Sequence, residues 1–152
     1  LQDYADQRFA YNEPLSQSGW AAPQNHIAAL GFQFGSNLQT GAHRASAIAV
    51  AEGRADIAAL DALTWQLIRR YDDFSTNLRV IATTRPTPAL PYITSLQQDP
   101  APIARAIQLA IRQMSQSDRE TLFLNGLVAI PASAYLNIPN PPPPHQHSDK
   151  TG

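Results

Sequence analysis

Asn12-Glu13-Pro14-Leu15-Ser16-Gln17-Ser18-Gly19-Trp20 reads as the end of a strand that leads into a hydroxyl-rich start of a helix. The preceding residues 8–12 carry aromatic side chains at alternate positions, which is typical of a strand. A helix N-terminus leaves backbone N–H groups unpaired and carries partial positive charge, so Ser16 and Ser18 suit an oxyanion site. The alternative is an ordinary helix cap, for which serine is a preferred residue. This stretch alone leaves both interpretations open.

Strand-like runs and helices continue to alternate after this stretch. A short strand is predicted to end at Leu38-Gln39-Thr40, before a helix that begins near His43, and the apolar run 55–60 precedes a helix capped by Asp61. Such alternation predicts a mainly parallel sheet. The loops that follow parallel strands gather along one edge of the sheet. We therefore expect the side chains at these junctions to be neighbours: Ser16, Ser18, Thr40, His43 and Asp61.

Two of these residues have more than one interpretation. His43 either begins its helix with no further role or, beside Gly41 at the predicted edge, contributes to an anion site. Asp61 is a routine helix cap, and in an anion site its charge would repel the ligand unless the ligand also carries an amine. Trp20 and Trp65 lie on apolar helix faces and are expected in the core.

The second half of the chain predicts one strand and then mainly helices. Residues 78–83 are short, β-branched and bounded by polar residues, as in a strand. The prolines between 84 and 94 forbid a helix there and favour an extended path. The remaining predictions are a further strand at 92–95, helices at 100–115 and 117–125, a loop with one short turn at 126–138, and a disordered proline-rich tail at 139–152.

Composition excludes several classes of function. The 152 residues carry 11 Lys plus Arg against 12 Asp plus Glu, and Lys150 is the only lysine, so nucleic acid is a poor partner. The absence of cysteine excludes a thiolate nucleophile and a zinc–thiolate site. His145 and His147 are two possible metal ligands, fewer than the three of a catalytic zinc site. No nucleophile elbow or Walker loop is present, so we predict no catalytic residues and no cofactor.

Several motifs, in order along the chain, together resemble one family. They are Phe9-Ala10-Tyr11-Asn12-Glu13-Pro14 with Ser16-Gln17-Ser18-Gly19, then Thr40-Gly41-Ala42-His43-Arg44-Ala45-Ser46, then Gly53-Arg54-Ala55-Asp56-Ile57-Ala58-Ala59-Leu60-Asp61, followed by Leu78-Arg79-Val80-Ile81 and Pro91-Tyr92-Ile93. Most of residues 1–138 thereby resembles the substrate-binding proteins of phosphate/phosphonate ABC transporters. That family has the two-lobed type II periplasmic-binding fold, in which a hinge closes the lobes on an oxyanion.

The resemblance implies which residues bind the ligand. The family's oxyanion-binding positions correspond to three side chains and the backbone of two further residues: Ser16, Ser18, His43, Gln17 and Gly19. Ala42 stands where many relatives have serine, and Gln17 stands where some have another hydroxyl residue. Phosphonate, inorganic phosphate and other small oxyanions therefore remain open as ligands.

The resemblance also implies an α/β architecture with a three-layer sheet that has helices on both faces. Residues 1–77 would form the second, ligand-binding lobe, and residues 78–138 would return to the first lobe, with the chain looking like the C-terminal half of the family. Apolar surface meant for the rest of the first lobe would then be exposed, so we expect self-association of the fragment. A monodisperse monomer would count against this expectation.

The implied function is that of the solute-binding component of an ABC transporter, with a small oxyanion and a membrane permease as partners. The implied location is periplasmic or extracytoplasmic, with lipid anchoring as one form of attachment. The alternative is a ligand-sensing periplasmic domain of a signalling protein, which the flanking coding sequence would distinguish. An enzyme on the same fold, such as a pyrimidine synthase-like protein, comes third because no reactive set of residues is evident.

Overall fold

The computed structural model describes residues 1–141, which form a mixed α/β structure. In chain order the elements are β1 (Arg8–Tyr11), a π-helical turn (Gln17–Ala21) that runs into α1 (Ala22–Ala29), β2 (Ser36–Gln39), α2 (His43–Ala51), β3 (Ile57–Ala58), α3 (Ala62–Tyr71), a 3₁₀ turn (Asp73–Asn77), α4 (Pro100–Gln113), α5 (Gln116–Leu122) and α6 (Ala132–Leu136). The described chain divides into two compact units, one made of Leu1–Pro86 with residues 139–141 and the other of Thr87–Ile138.

The first unit contains a parallel sheet of three strands in the order β2-β1-β3. Phe9 in β1 lies opposite Asn37 on one side and Ile57 on the other. The predicted parallel pairing is therefore confirmed, and β1, the strand directly before the opening stretch, is the central one. β3 covers only two residues and is shorter than the run predicted at 55–60.

The central strand is buried on both faces of the sheet. On one face Phe9 and Tyr11 pack with Trp20, whose ring centroid lies 4.6 Å from that of Tyr11. On the other face Ala10 packs with Ala49 of α2. Alanine on both sides of this contact lets the backbone of α2 approach the sheet closely. Helical elements thus cover both faces of this small sheet.

Most helix boundaries follow local sequence, as predicted. The Asp61 carboxylate accepts a hydrogen bond of 2.9 Å from the Thr64 backbone N–H, and Asp99 caps α4 in the same manner through Ala101. α5 ends before the predicted residue 125 because Phe123 adopts a left-handed conformation with φ of 53°. The helix α6 forms within the segment 126–138, where the sequence predicted a loop with one short turn.

The prediction of a strand at 78–83 is wrong, and so is that of a further strand at 92–95. No strand is present between residues 78 and 99 of the structure. Val80 is 60% exposed and Ile81 is 41% exposed. β propensity reflects packing against neighbouring strands, and no described strand lies alongside this segment to accept its backbone hydrogen bonds.

The second unit is helical and has little buried surface. Within residues 87–138, Ile111 of α4 is the single buried side chain. Leu90 is 97% exposed and Ile93 is 90% exposed, in the extended path that the prolines predicted. Within residues 1–141 no helix is long and apolar enough to cross a membrane. The predicted tail is described only as far as residue 141, and His145 and His147 lie outside the described residues.

Candidate anion site at two strand ends

The loops that follow β1 and β2 are joined directly to each other. The Thr40 N–H donates to the Tyr11 carbonyl at 2.9 Å, and the Gly41 N–H donates to the Asn12 carbonyl at 3.0 Å. This pairing brings the start of α2 next to the π-helical turn. As a result, Ser18 Oγ lies 3.1 Å from Nε2 of His43, although the two residues are 25 positions apart in sequence.

Ser16 is a helix cap, as one of its two interpretations predicted. Its hydroxyl oxygen accepts a hydrogen bond of 3.0 Å from the Gly19 N–H, and the residue is buried. The Ser16 carbonyl accepts from both Trp20 and Ala21, which gives the wide π-helical turn. Such turns occur frequently at functional sites. A direct contact between Ser16 and a ligand stays a prediction.

Thr40 and Asp61 use their side chains on protein partners. The Thr40 hydroxyl bonds to the Tyr11 carbonyl at 3.0 Å and lies 2.7 Å from the hydroxyl of Ser46, which is fully buried. The Asp61 carboxylate is engaged by the backbone N–H and the hydroxyl of Thr64. In this structure Thr40 therefore supports the loop, and Asp61 caps α3.

The start of α2 has no side-chain cap. Its N-cap residue is Ala42, which makes no capping hydrogen bond, and His43 is the first residue of the helix. The first N–H groups of a helix have no partner within the helix and carry partial positive charge. The start of α2, beside Ser18 and His43, is therefore suited to an anion.

Gly19 lies where a larger residue would collide with the site. A Cβ built on Gly19 would overlap the amide oxygen of Asn12 and approach Cε1 of His43 to 3.0 Å. Asn12 belongs to the opening stretch, but its sequence context predicted no function for it. Its position directly after β1, at the carboxyl end of a parallel strand, is the feature that could have identified it.

Arg44 anchors the start of α2 to the turn after α3. Its guanidinium donates to both carboxylate oxygens of Asp72, with Nη2 at 2.6 Å from Oδ1, and lies over the ring of Phe74 at 5.6 Å. Because Arg44 donates to this carboxylate, the pKa of Asp72 is lowered. The neighbouring His43 is thus held by a helix that is fixed at its first turn.

Replacing Asp72 by asparagine is expected to lower the melting temperature at neutral pH. A carboxyl whose pKa is lower in the folded state contributes stability above its unfolded pKa and loses it as the pH falls through the folded pKa. The difference between the wild type and Asp72→Asn should therefore shrink as the medium is acidified below the ordinary range of aspartate. Melting followed by circular dichroism across pH tests this.

Glu52→Gln is the matched control for Asp72→Asn. Glu52 pairs with Arg54 at 2.8 Å, but both side chains are more than half exposed. Exposed pairs contribute little to stability. Equal effects of the two substitutions at neutral pH would contradict the anchoring role of Asp72.

The chemistry available at this site is hydrogen-bond donation to an anion. The Ser18 hydroxyl and the His43 ring lie together at the start of α2. Burial raises the pKa of the nearby Tyr11 phenol, whose backbone carbonyl accepts from Thr40. Within residues 1–141 no three His, Asp or Glu side chains form a group that could hold a metal ion.

The chain matches a protein-family model described as ABC transporter, phosphonate, periplasmic substrate-binding protein. The match covers residues 1–133 and confirms the family suggested by the sequence motifs. No match was found among curated proteins.

Proposed function

Because this chain belongs to the family of phosphonate ABC transporter periplasmic substrate-binding proteins, we propose that it binds a small oxyanion at the junction of the Ser18 turn and α2. Phosphate and phosphonates are the candidate ligands. The observation that carries the proposal is the contact of 3.1 Å between Ser18 Oγ and His43 Nε2 at the start of a helix without a side-chain cap.

Approximate binding free energies support the proposal and indicate how much of the affinity these residues supply. A helix terminus contributes about 0.3–1 kcal/mol toward an anion, and a hydrogen bond to a charged group contributes about 1.5–3 kcal/mol. Micromolar affinity requires about 8 kcal/mol after the costs of association. Two side-chain hydrogen bonds and two termini fall near or below this value, so a second set of donors from a facing lobe completes the site.

The cellular role follows the family. Proteins of this family are extracytoplasmic receptors of ABC transporters, and the family is one of transport proteins rather than of enzymes. In this role the protein delivers its ligand to a membrane permease. We extend the proposal to a lipid anchor, which would keep the receptor near the permease.

The proposed lobe arrangement is that of the type II periplasmic-binding fold with a three-layer sheet. Residues 1–77 form the ligand-binding lobe and residues 78–138 belong to the first lobe, although the compact unit Leu1–Pro86 extends beyond this boundary. Leu90, Ile93 and Leu96 are exposed and form apolar surface. Their exposure supports the proposal that another part of a lobe covers this surface. The same surface favours self-association when the chain is studied alone.

Calorimetric titration of the full-length protein tests the proposed function. Phosphate, methylphosphonate and sulfate are titrated separately, with sodium chloride at matched ionic strength as the control. We expect a saturable heat with a stoichiometry of one for phosphate or methylphosphonate. The absence of heat with every oxyanion would contradict the proposal.

A further inference from the structure

Two buried polar atoms beside the Ser18 and His43 contact have no hydrogen-bond partner in the described chain. They are Oδ1 of Asn12 and Nδ1 of His43. Nearly all buried polar atoms in folded proteins are paired with protein or water. Two unpaired atoms in one place therefore call for a specific explanation.

The two unpaired groups are neighbours. The amide oxygen of Asn12 and Cε1 of His43 both lie within contact distance of a single point, the Cβ position that Gly19 leaves free. Cε1 is bonded to Nδ1 in the imidazole ring, so the unpaired nitrogen is one bond away from the ring atom that approaches this point. The absence of a side chain at Gly19 is what allows this approach.

The two atoms are also chemically complementary. An amide oxygen only accepts hydrogen bonds, whereas a ring nitrogen of histidine donates when it carries the proton. The last torsion of an asparagine side chain is broad, so the amide can turn toward the ring without moving the backbone. A proton on Nδ1 would satisfy both buried atoms at once.

We propose that Asn12 is a positioning residue that holds the proton of neutral His43 on Nδ1. In the ligand-free protein Nε2 then presents its lone pair to the Ser18 hydroxyl, which lies 3.1 Å away and donates to it. A bound anion would take over this hydrogen bond from the hydroxyl. The hydrogen bond that one ring nitrogen makes decides the state of the other. Asn12 thus fixes both the orientation and the tautomer of the ring at the anion site.

The opposite hydrogen bond, from the Asn12 amide to His43, predicts the other tautomer of the ring. If the Asn12 amide group donated to an unprotonated Nδ1, the proton would lie on Nε2, and His43 would donate to Ser18. That arrangement requires the NH2 group to turn toward His43 in place of the amide oxygen. Asn12→Asp distinguishes the two, because a carboxylate accepts and cannot donate.

Nitrogen NMR of His43 in the ligand-free, full-length protein tests the tautomer. Long-range ¹H–¹⁵N correlation spectra are recorded for the wild type, Asn12→Asp and Asn12→Leu, where leucine keeps the shape and removes the acceptor. We expect the proton on Nδ1 in the wild type and in Asn12→Asp, and its transfer to Nε2 in Asn12→Leu. A proton on Nε2 in the wild type would overturn the proposal.

Asn37→Leu is the matched control. The Oδ1 atom of Asn37 is also buried and unpaired, but this residue lies on β2 opposite Phe9. Its replacement should leave the His43 tautomer unchanged. A shift of the tautomer in Asn37→Leu as large as in Asn12→Leu would show a general structural effect and contradict a specific role of Asn12.

The consequence for the ligand rests on the proposed function. Removing a group that orients a metal-binding histidine weakens metal binding by about 10-fold to 100-fold, and because the same loss of ring orientation acts here, we expect Asn12→Leu to lower the phosphate affinity about 10-fold. An unchanged affinity alongside a changed tautomer would overturn the role of Asn12 in binding. Failure of the wild type to bind phosphate would contradict the proposed function, while the NMR result would still decide the tautomer.

Discussion

Replacement of Trp20 by alanine is expected to lower the free energy of unfolding by about 3–5 kcal/mol, the usual cost of truncating a buried aromatic residue. Trp20 is 3% exposed and packs against both aromatic residues of the central strand, with ring centroids 4.6 Å from Tyr11 and 6.2 Å from Phe9. Native domains have only about 5–15 kcal/mol of stability, so the loss is large. Urea denaturation followed by far-ultraviolet circular dichroism measures it.

Trp65→Ala is the control for this prediction. Trp65 lies on α3 and is only partly buried, so its truncation leaves a smaller cavity and should cost less than half as much. Equal losses at the two positions would contradict the central place of Trp20 in the core. Trp20 also directly follows Gly19, so a disturbed Trp20 position should disturb the Ser18 turn as well.

Replacement of His43 by alanine is expected to weaken phosphate binding by about 10-fold to 100-fold. The substitution removes the ring that lies 3.1 Å from Ser18 Oγ and orients that hydroxyl, and the hydrogen bond from the hydroxyl to a charged group is worth about 1.5–3 kcal/mol. The helix α2 should persist because alanine is the best helix former. Calorimetric titration of the full-length protein with phosphate measures the change.

His26→Ala is the matched control, since His26 lies in the last turn of α1 and is not part of the contact between Ser18 and His43. It should leave the phosphate affinity unchanged. Ser18→Ala and the double variant complete a cycle, and residues in contact are expected to show effects that do not add. An unchanged affinity in His43→Ala, with an unchanged melting temperature, would place the anion site elsewhere.

The features that sequence predicted correctly have causes within a few residues. Asp61 and Asp99 cap their helices because each carboxylate reaches an N–H two or three residues onward. The left-handed conformations of Gly31 and Gly53, with φ of 82° and 72°, follow α1 and α2 where glycine predicted helix ends. The strand that contains Phe9 and Tyr11 likewise follows from its alternating aromatic residues.

The wrong predictions concern features whose cause lies in distant residues. The run 78–83 has the composition of a strand, but no described strand pairs with it, and composition alone cannot provide a partner. A role of Thr40 and Asp61 in ligand binding stays a prediction. Both follow strands as expected, and in the structure their side chains are engaged by Ser46 and Thr64.

The sequence by itself determined the family, the parallel alternation of strands and helices, and the residues at which the helices begin, because these depend on local order along the chain. Only the tertiary structure decided how the turn after β1 is placed against His43 at the start of α2. The contact of Ser18 with His43 and the approach of His43 to Gly19 depend on the pairing of β1 with β2. Their distances are set by packing between segments that are far apart in sequence, which no local pattern encodes.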